Sequence, residues 1–338
     1  MSPRSTPSKR HVAPSSSGLP RWRFRDGVLA VAAITIEDTI IRYFLIRQCR
    51  SPTLLSPNMA KANSTQPLEL SQADLNALYA LSLKRYRFLT CRHLSMLFYP
   101  SQDACYQRIQ ELRQTGLVTR LFIPTTDEEK REVVYTLARP GARELARLKG
   151  INLLGLASAR KPSYLFLEHS LSISDFMCSL EAALKKSRVQ LLFWKSDRQL
   201  KTSRGRALSV PHPFELGEKI PVIPDGLFSL EICDRVEYFF LEADRGTMSL
   251  FAMRKKLLGY VQLYLKGLHR RYFGIPHFRV LLVTNTPRRR DKLRETLHEI
   301  GYCPNMFWFA VWRDISPEKI LSKIWFKCRD QVSYSLVG

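Results

Sequence analysis

Residues 222–246 read VIPDGLFSLEICDRVEYFFLEADRG, two apolar runs joined by a short polar break. VEYFFLEADRG (236–246) is dense in aromatic and apolar residues, as a buried strand should be, and VIPDGLFSLEI (222–232) precedes it as a second strand. On a strand, residues two apart share a face, so Glu242 and Asp244 are expected to project together. Asp225 is expected beside them across the hairpin. Carboxylate clusters of this kind suit Mg²⁺, with Asp225 and Glu242 as candidate ligands. The plainer reading is that Asp225-Gly226 marks a turn and Glu242 pairs with a nearby arginine.

The flanking sequence extends the pattern. Upstream, 164–186 reads as a helix with Leu165, His169, Ile173, Phe176 and Leu180 on one face. VQLLFW (189–194) is a strand, followed by a loop to about residue 220. Downstream, a long helix is expected over about 249–270, with Leu250, Met253, Leu257, Val261, Tyr264 and Leu268 as its inward stripe. RVLLVTN (279–285) is a strand, Arg288 to Ile300 a helix, and MFWFAVW (306–312) a final strand. The order α-β-β-β-α-β-α-β predicts an α/β domain over 164–330 with a mixed sheet and flanking helices. His169 is expected to be packed and hydrogen-bonded, as a lone histidine on a helix face.

A different pattern occupies 69–149. Ser71 and Asp74 make a capping-box start, and Leu75, Leu78, Tyr79 and Leu81 give an apolar helical face. Thr90 caps a second helix, which Pro100 stops. Ser101 caps a third, running to about Gln114 and carrying the stripe Cys105, Ile109 and Leu112. Gly116 ends it. Two strands follow, Leu117 to Ile123 and Val133 to Leu137, joined by the polar turn TTDEEKRE, and RPGARELARLKG forms another helix. This is the order of a winged helix-turn-helix, whose third helix enters the major groove. ELRQTGLVTR and YTLARPGARELARL resemble the same stretches of winged-helix DNA-binding proteins. Gln102, Tyr106, Gln107, Gln110 and Arg113 lie on the polar side of the third helix. Gln and Arg can read adenine and guanine, or simply solvate the surface. Lys130 and Arg131 in the wing are candidate phosphate contacts.

Between the two domains, 150–163 reads as a linker. Residues 1–68 form a leader, rich in Pro, Ser and Arg to about residue 25. The apolar run VLAVAAITI (28–36) is too short to span a membrane. Preceding arginines also fit a signal peptide, but the scattered cysteines weigh against export. The break in pattern before MAKANSTQ suggests a true start at Met59.

Composition agrees with a nucleic-acid partner. Hydrophobic residues make up 45%, enough for a real core. The net charge of +23 predicts attraction to polyanions, DNA first. Lys and Arg crowd 245–294, where Asp291 is the lone acid. Arg245, Arg288, Arg289 and Arg290 stand out as phosphate contacts, with Tyr260, Tyr264, Tyr272 and Phe273 interleaved to stack bases, Tyr264 also reading as core. Seven cysteines without a CxxC pair argue against a disulfide framework and a zinc ribbon, and fit a reducing cytoplasm. No phosphate-binding loop, HExxH, GxGxxG after a strand or GxSxG occurs.

TCRHLSMLFYPSQDACYQRIQELRQTGLVTR, FLEHSLSISDF, IPDGLF and FFLEADRGTMSL occur in the order that resembles the replication-relaxation family of plasmid-linked proteins. That resemblance implies a winged helix joined to a domain like the PD-(D/E)XK nucleases. It also implies a role in plasmid replication, relaxation or mobilisation, with partner proteins of those processes and no membrane. Asp225 matches the pattern's aspartate and Glu242 its second acid. Asp244 stands where the pattern has lysine, followed by Arg245, which cannot act as a base. Lys255 or Lys256 is then the candidate displaced lysine, and Glu168 or Asp175 the first-helix acid. The departure favours DNA binding without robust cleavage over an active Mg²⁺-dependent endonuclease. A transcription regulator with a partner-binding α/β domain is the third reading.

Overall fold

The computed structural model describes residues 68–124, 131–153, 155–157, 162–201, 208–302 and 304–338. The leader before residue 68, the Met59 start and Lys130 lie outside the described residues, as does most of the expected wing turn.

Ser71 opens helix α1 (Gln72–Ala80) with the expected capping box: its hydroxyl accepts from the Asp74 N–H at 3.2 Å, and its own N–H donates to the Asp74 carboxylate at 2.8 Å. Asp74 is fully buried and also accepts from Tyr99 Oη and Arg108 Nε, both at 3.0 Å. One capping residue thus ties α1 to α3. Strand β1 (Leu89–Thr90) leads into α2 (Cys91–Phe98), capped by Thr90. Ser101 caps α3 (Gln102–Gln114), which buries Cys105, Ile109 and Leu112 as expected. Gly116, at φ +74°, turns the chain into β2 (Val118–Pro124), which pairs antiparallel with β3 (Arg131–Leu137). The two-residue β1, too short to show alternation in the sequence, adds to the other edge of β3. Helix α4 (Arg139–Lys149) ends at Gly150 in the left-handed conformation.

The following segment is not a bare spacer. Leu156 is fully buried, and the Leu83 N–H donates to its carbonyl at 2.9 Å. Helix α5 (Tyr164–Leu184) buries Leu167, Leu171, Phe176, Met177 and Leu180, whereas Leu165 is 65% exposed. The expected face was therefore misplaced at its N-terminal end, where aromatic and aliphatic residues surround the helix and leave no unique stripe.

The remaining elements are β4 (Gln190–Ser196), α6 (Asp197–Leu200), β5 (Leu208–Pro211), β6 (Lys219–Val222), β7 (Gly226–Ile232), β8 (Arg235–Ala243), α7 (Leu250–Leu265), α8 (Leu268–Phe273), β9 (Arg279–Thr284), α9 (Pro287–Ile300), β10 (Phe307–Val311), β11 (Trp325–Lys327) and β12 (Ser333–Tyr334). Seven of the strands form a mixed sheet in the order β12-β11-β10-β9-β8-β7-β4. Pairs β8–β9 and β9–β10 are parallel, and the others antiparallel. Cys233 and Asp234, both at positive φ, form the two-residue turn between β7 and β8. Phe228, Phe239, Leu241 and Leu281 pack with α5, while Leu227, Phe240, Val280 and Leu282 pack with α7 and α9. The sheet is thus the expected mixed α/β sheet with helices on both faces.

Five sequence expectations change here. The loop to residue 220 contains the β5–β6 ribbon. The 249–270 helix breaks at Gly267, which takes φ +63°. MFWFAVW is not the last strand, since β11 and β12 follow. Tyr260 is fully buried, not an accessible stacking ring, while Tyr264 is 42% exposed and not core. Among the described residues no helix is long and apolar enough to cross a membrane.

Candidate functional site

The hairpin register sets Gly226 opposite Leu241, so Asp225 comes to rest against the end of β8. Its backbone N–H donates to the Leu241 carbonyl at 3.0 Å, and the Ala243 N–H donates to its Oδ2 at 2.8 Å. His169 reaches in from α5, with Nε2 3.0 Å from Asp225 Oδ1. Glu242 points to the other layer. Lys256 Nζ forms an ion pair with its Oε2, and the Tyr260 hydroxyl donates to its Oε1. Lys256 and Tyr260 lie four residues apart on α7 and so share a face. Of the two lysines the sequence offered, Lys256 is the one beside Glu242. Lys255 instead sits 3.7 Å from Glu218.

Glu242 and Asp244 both reach towards the α7–α9 side, but each meets its own cation. Asp244 accepts from Thr284 Oγ1 at 2.7 Å and Arg289 Nε at 3.0 Å, and from the Gly246 N–H at 3.0 Å. Arg245 turns to α5 and pairs with Glu168, which also accepts from Tyr164 Oη at 2.6 Å. Asp175 does not join this site. It faces α2, pairing with Arg92 and lying 2.7 Å from His93 Nε2. Of the two candidate first-helix acids, only Glu168 is near.

The electrostatics separate the two central carboxylates. Burial pushes Glu242 up to about 7, with the Asp225 charge adding and Lys256 and Tyr260 opposing. Burial also acts on Asp225, but the Lys256 charge, His169 and the Ala243 N–H outweigh it and hold the carboxyl below its ordinary value. The hydrogen bond to Asp225 raises His169 against the effect of burial. Burial opposes the Lys256 charge, but Glu242 and Asp225 hold it above the ordinary lysine range. Carboxylates pushed apart in this way can take different protonation states in one site.

As arranged, these residues do not make a ready Mg²⁺ site. All four oxygens of Asp225 and Glu242 have protein partners, and Lys256 holds the cationic position at Glu242. Among the described residues no three His, Cys, Asp or Glu side chains are grouped to hold a metal ion.

On α3, Gln102, Tyr106 and Gln107 are exposed. Gln110 and Arg113 are not free, since Arg113 Nε donates to Gln110 Oε1 at 3.0 Å and Gln110 Nε2 lies 3.4 Å from Tyr135 Oη. Arg131 begins β3. The arginine triplet at the start of α9 is likewise not a uniform basic patch. Arg288 is exposed, Arg289 is drawn to Asp244 and the Met248 carbonyl, and Arg290 pairs with Asp291 and lies over the Phe326 ring. Sequence reasoning missed the specific pairing of His169 with Asp225. The two are far apart in the chain, and neither motif carries a spacing that names the other.

The replication-relaxation family model matches residues 81–277. No curated protein and no solved structure shows significant similarity to the chain. The matched segment covers more than half of the chain and contains Asp225, Glu242, Lys256 and His169 together. The chain belongs to the replication-relaxation family.

Proposed function

We propose that the chain is a DNA-binding protein of plasmid or mobile-element replication or mobilisation, acting without robust nuclease activity. In this reading residues 69–149 are a winged helix that sets α3 against the major groove, with Gln102, Tyr106 and Gln107 forward. Lys130 and Arg131 in the wing and Arg288 on α9 contribute phosphate contacts. Residues 164–330 are a PD-(D/E)XK-like domain that holds the strand. The observation that carries the reading is that the protein itself occupies the acids of the site: Lys256 pairs with Glu242, Arg289 with Asp244 and Arg245 with Glu168, while His169 and the Ala243 N–H take the two oxygens of Asp225. Such a set stabilises the ends of the neighbouring strands β7 and β8 and leaves no carboxylate demanding an added cation.

One observation favours an endonuclease instead, namely the convergence of Asp225 from just before β7, Glu242 from β8 and Lys256 from α7. That reading requires Lys256 to yield Glu242 to a divalent cation. The full-length protein, incubated with supercoiled plasmid at about 50 mM salt with and without Mg²⁺, separates the two. Retarded but intact plasmid is expected. Mg²⁺-dependent nicking lost in both Asp225→Ala and Glu242→Ala would establish the endonuclease, and no retardation at all would overturn DNA binding.

A further inference from the structure

A cleft of about 190 Å³ opens between the loop after α1 and the β4–α6 corner, with Asp225 in its wall. Arg85 and Arg87 enter it from the loop, Phe166 from α5, and Arg198 and Lys201 from the corner. Two of these cations are already matched: Arg85 pairs with Glu181, and Lys201 lies 3.1 Å from Asp197. Arg87 and Arg198 make no ion pair among the described residues. The Arg87 guanidinium lies 4.5 Å from the Phe88 ring and 5.1 Å from the Phe166 ring, and its Nε is buried without a hydrogen-bond partner. Burial, and then the charge of Arg198, lower the pKa of Arg87, with Asp197 only partly offsetting them.

The backbone sharpens the point. Arg87 sits at φ +73°, a conformation non-glycine residues seldom adopt. Its N–H and that of Tyr86 both donate to the Ala80 carbonyl, at 3.3 and 3.0 Å, which fixes the loop against the end of α1. Strain of this kind collects at ligand sites. Two neighbouring guanidinium groups with an unfilled buried donor are matched by an anion with several acceptor oxygens, and the planar fork of arginine fits phosphate in particular. Phe166, 41% exposed, offers a ring face on which a base can stack.

We propose that this cleft holds a phosphate ester of a nucleotide, gripped by Arg87 and Arg198 with its base against Phe166, next to Asp225. The proposal rests on the DNA-binding reading only for the source of the phosphate.

The test uses the full-length chain and a fluorescent single-stranded oligonucleotide bearing a 5′-phosphate. Arg198→Glu, on an exposed side chain, and Arg87→Gln are compared with Lys323→Glu. Lys323 precedes β11, five strands from β4 and thus roughly 24 Å across the sheet. Loss of about tenfold or more in affinity in the two cleft variants, against less than about twofold in Lys323→Glu, is the expected result. Equal losses in all three would overturn the proposal while leaving DNA binding intact. Competition by a mononucleotide 5′-phosphate would assign the cleft to free nucleotides as well as to a strand. If the wild type binds no oligonucleotide, the DNA reading fails, and inorganic phosphate alone decides the cleft. A phosphate-dependent rise in melting temperature, relative to chloride at equal ionic strength, that is absent in Arg87→Gln upholds it, and no such rise overturns it.

Discussion

Glu242 is buried beside a second carboxylate, and Lys256 is the cation that balances it. Its pKa of about 7 in the folded chain lies above the ordinary 4.5, so folding favours its protonated form. The stability it contributes is complete below pH 4.5 and is lost as pH rises towards about 7. His169 acts in the same direction, since its raised pKa gives stability below 6.5 that is lost as pH rises through the folded value. Asp225 acts oppositely, its contribution being lost as pH falls below 3.8 towards its depressed value. Urea unfolding between pH 4.5 and 7 is therefore expected to show stability declining with pH, and Glu242→Gln to flatten that decline. A decline unchanged in the variant would remove Glu242 from the account. Lys256→Ala leaves a buried charge uncompensated and is expected to cost about 3–5 kcal/mol at pH 8, much of it recovered when Glu242→Gln is added. The acids themselves were legible in the sequence because strand periodicity and the two-strand reading predict their meeting. Which cation serves which acid was not, because Lys256, Arg289 and Arg245 find partners across layers that only the packing brings together.

Gly226 shows how an element boundary can hide a packing constraint. The sequence allows Asp225-Gly226 to lie within a strand over 222–232 or to mark a turn, and Gly226 is the first residue of β7, with Asp225 just before it. A β-carbon there would lie 1.9 Å from the buried Trp194 ring, so the glycine exists to admit the indole. Gly226→Ala is expected to cost about 1–3 kcal/mol through overpacking, and the smaller ring in Trp194→Phe should recover part of it. A neutral Gly226→Ala in thermal unfolding would contradict this packing. The starts of α1 to α3 are legible to the residue because Ser71, Thr90 and Ser101 are capping residues followed by apolar stripes. The β5–β6 ribbon, β11 and β12 escaped because four-residue and shorter strands give no period to read. On α3 the exposed Gln107 is the best candidate for base reading. Gln107→Ala is expected to reduce discrimination between DNA sequences by about 1–3 kcal/mol while leaving nonspecific affinity unchanged. Equal loss on all sequences would make it a mere surface residue.

At the scale of the whole molecule, the two sets of elements share one core. A single apolar cluster joins Leu78, Leu94 and Leu112 of the N-terminal helices to Phe176, Phe228 and Leu281 around the large sheet. Polar contacts stitch the same seam: Arg85 with Glu181, Lys185 Nζ to the Leu97 carbonyl, and Ser174 Oγ to the Phe88 carbonyl at 2.9 Å. Asp175 is the seam residue whose loss is most informative, because it serves both the exposed Arg92 and the buried His93. Asp175→Ala strands the His93 ring nitrogen and is expected to cost about 1–3 kcal/mol. Among the described residues, Trp194, Trp308, Trp312 and Trp325 all lie in or beside the large sheet. In a Trp22→Phe background, tryptophan fluorescence therefore follows the sheet, while hydrogen exchange of the α3 amides follows the N-terminal helices. Because the core is continuous, Asp175→Ala should lower the urea midpoint by fluorescence and the protection of α3 amides by matching free energies. A variant that loosens α3 while leaving the fluorescence midpoint in place would mean that the helices open alone, and that the seam is an interface between two separately stable units.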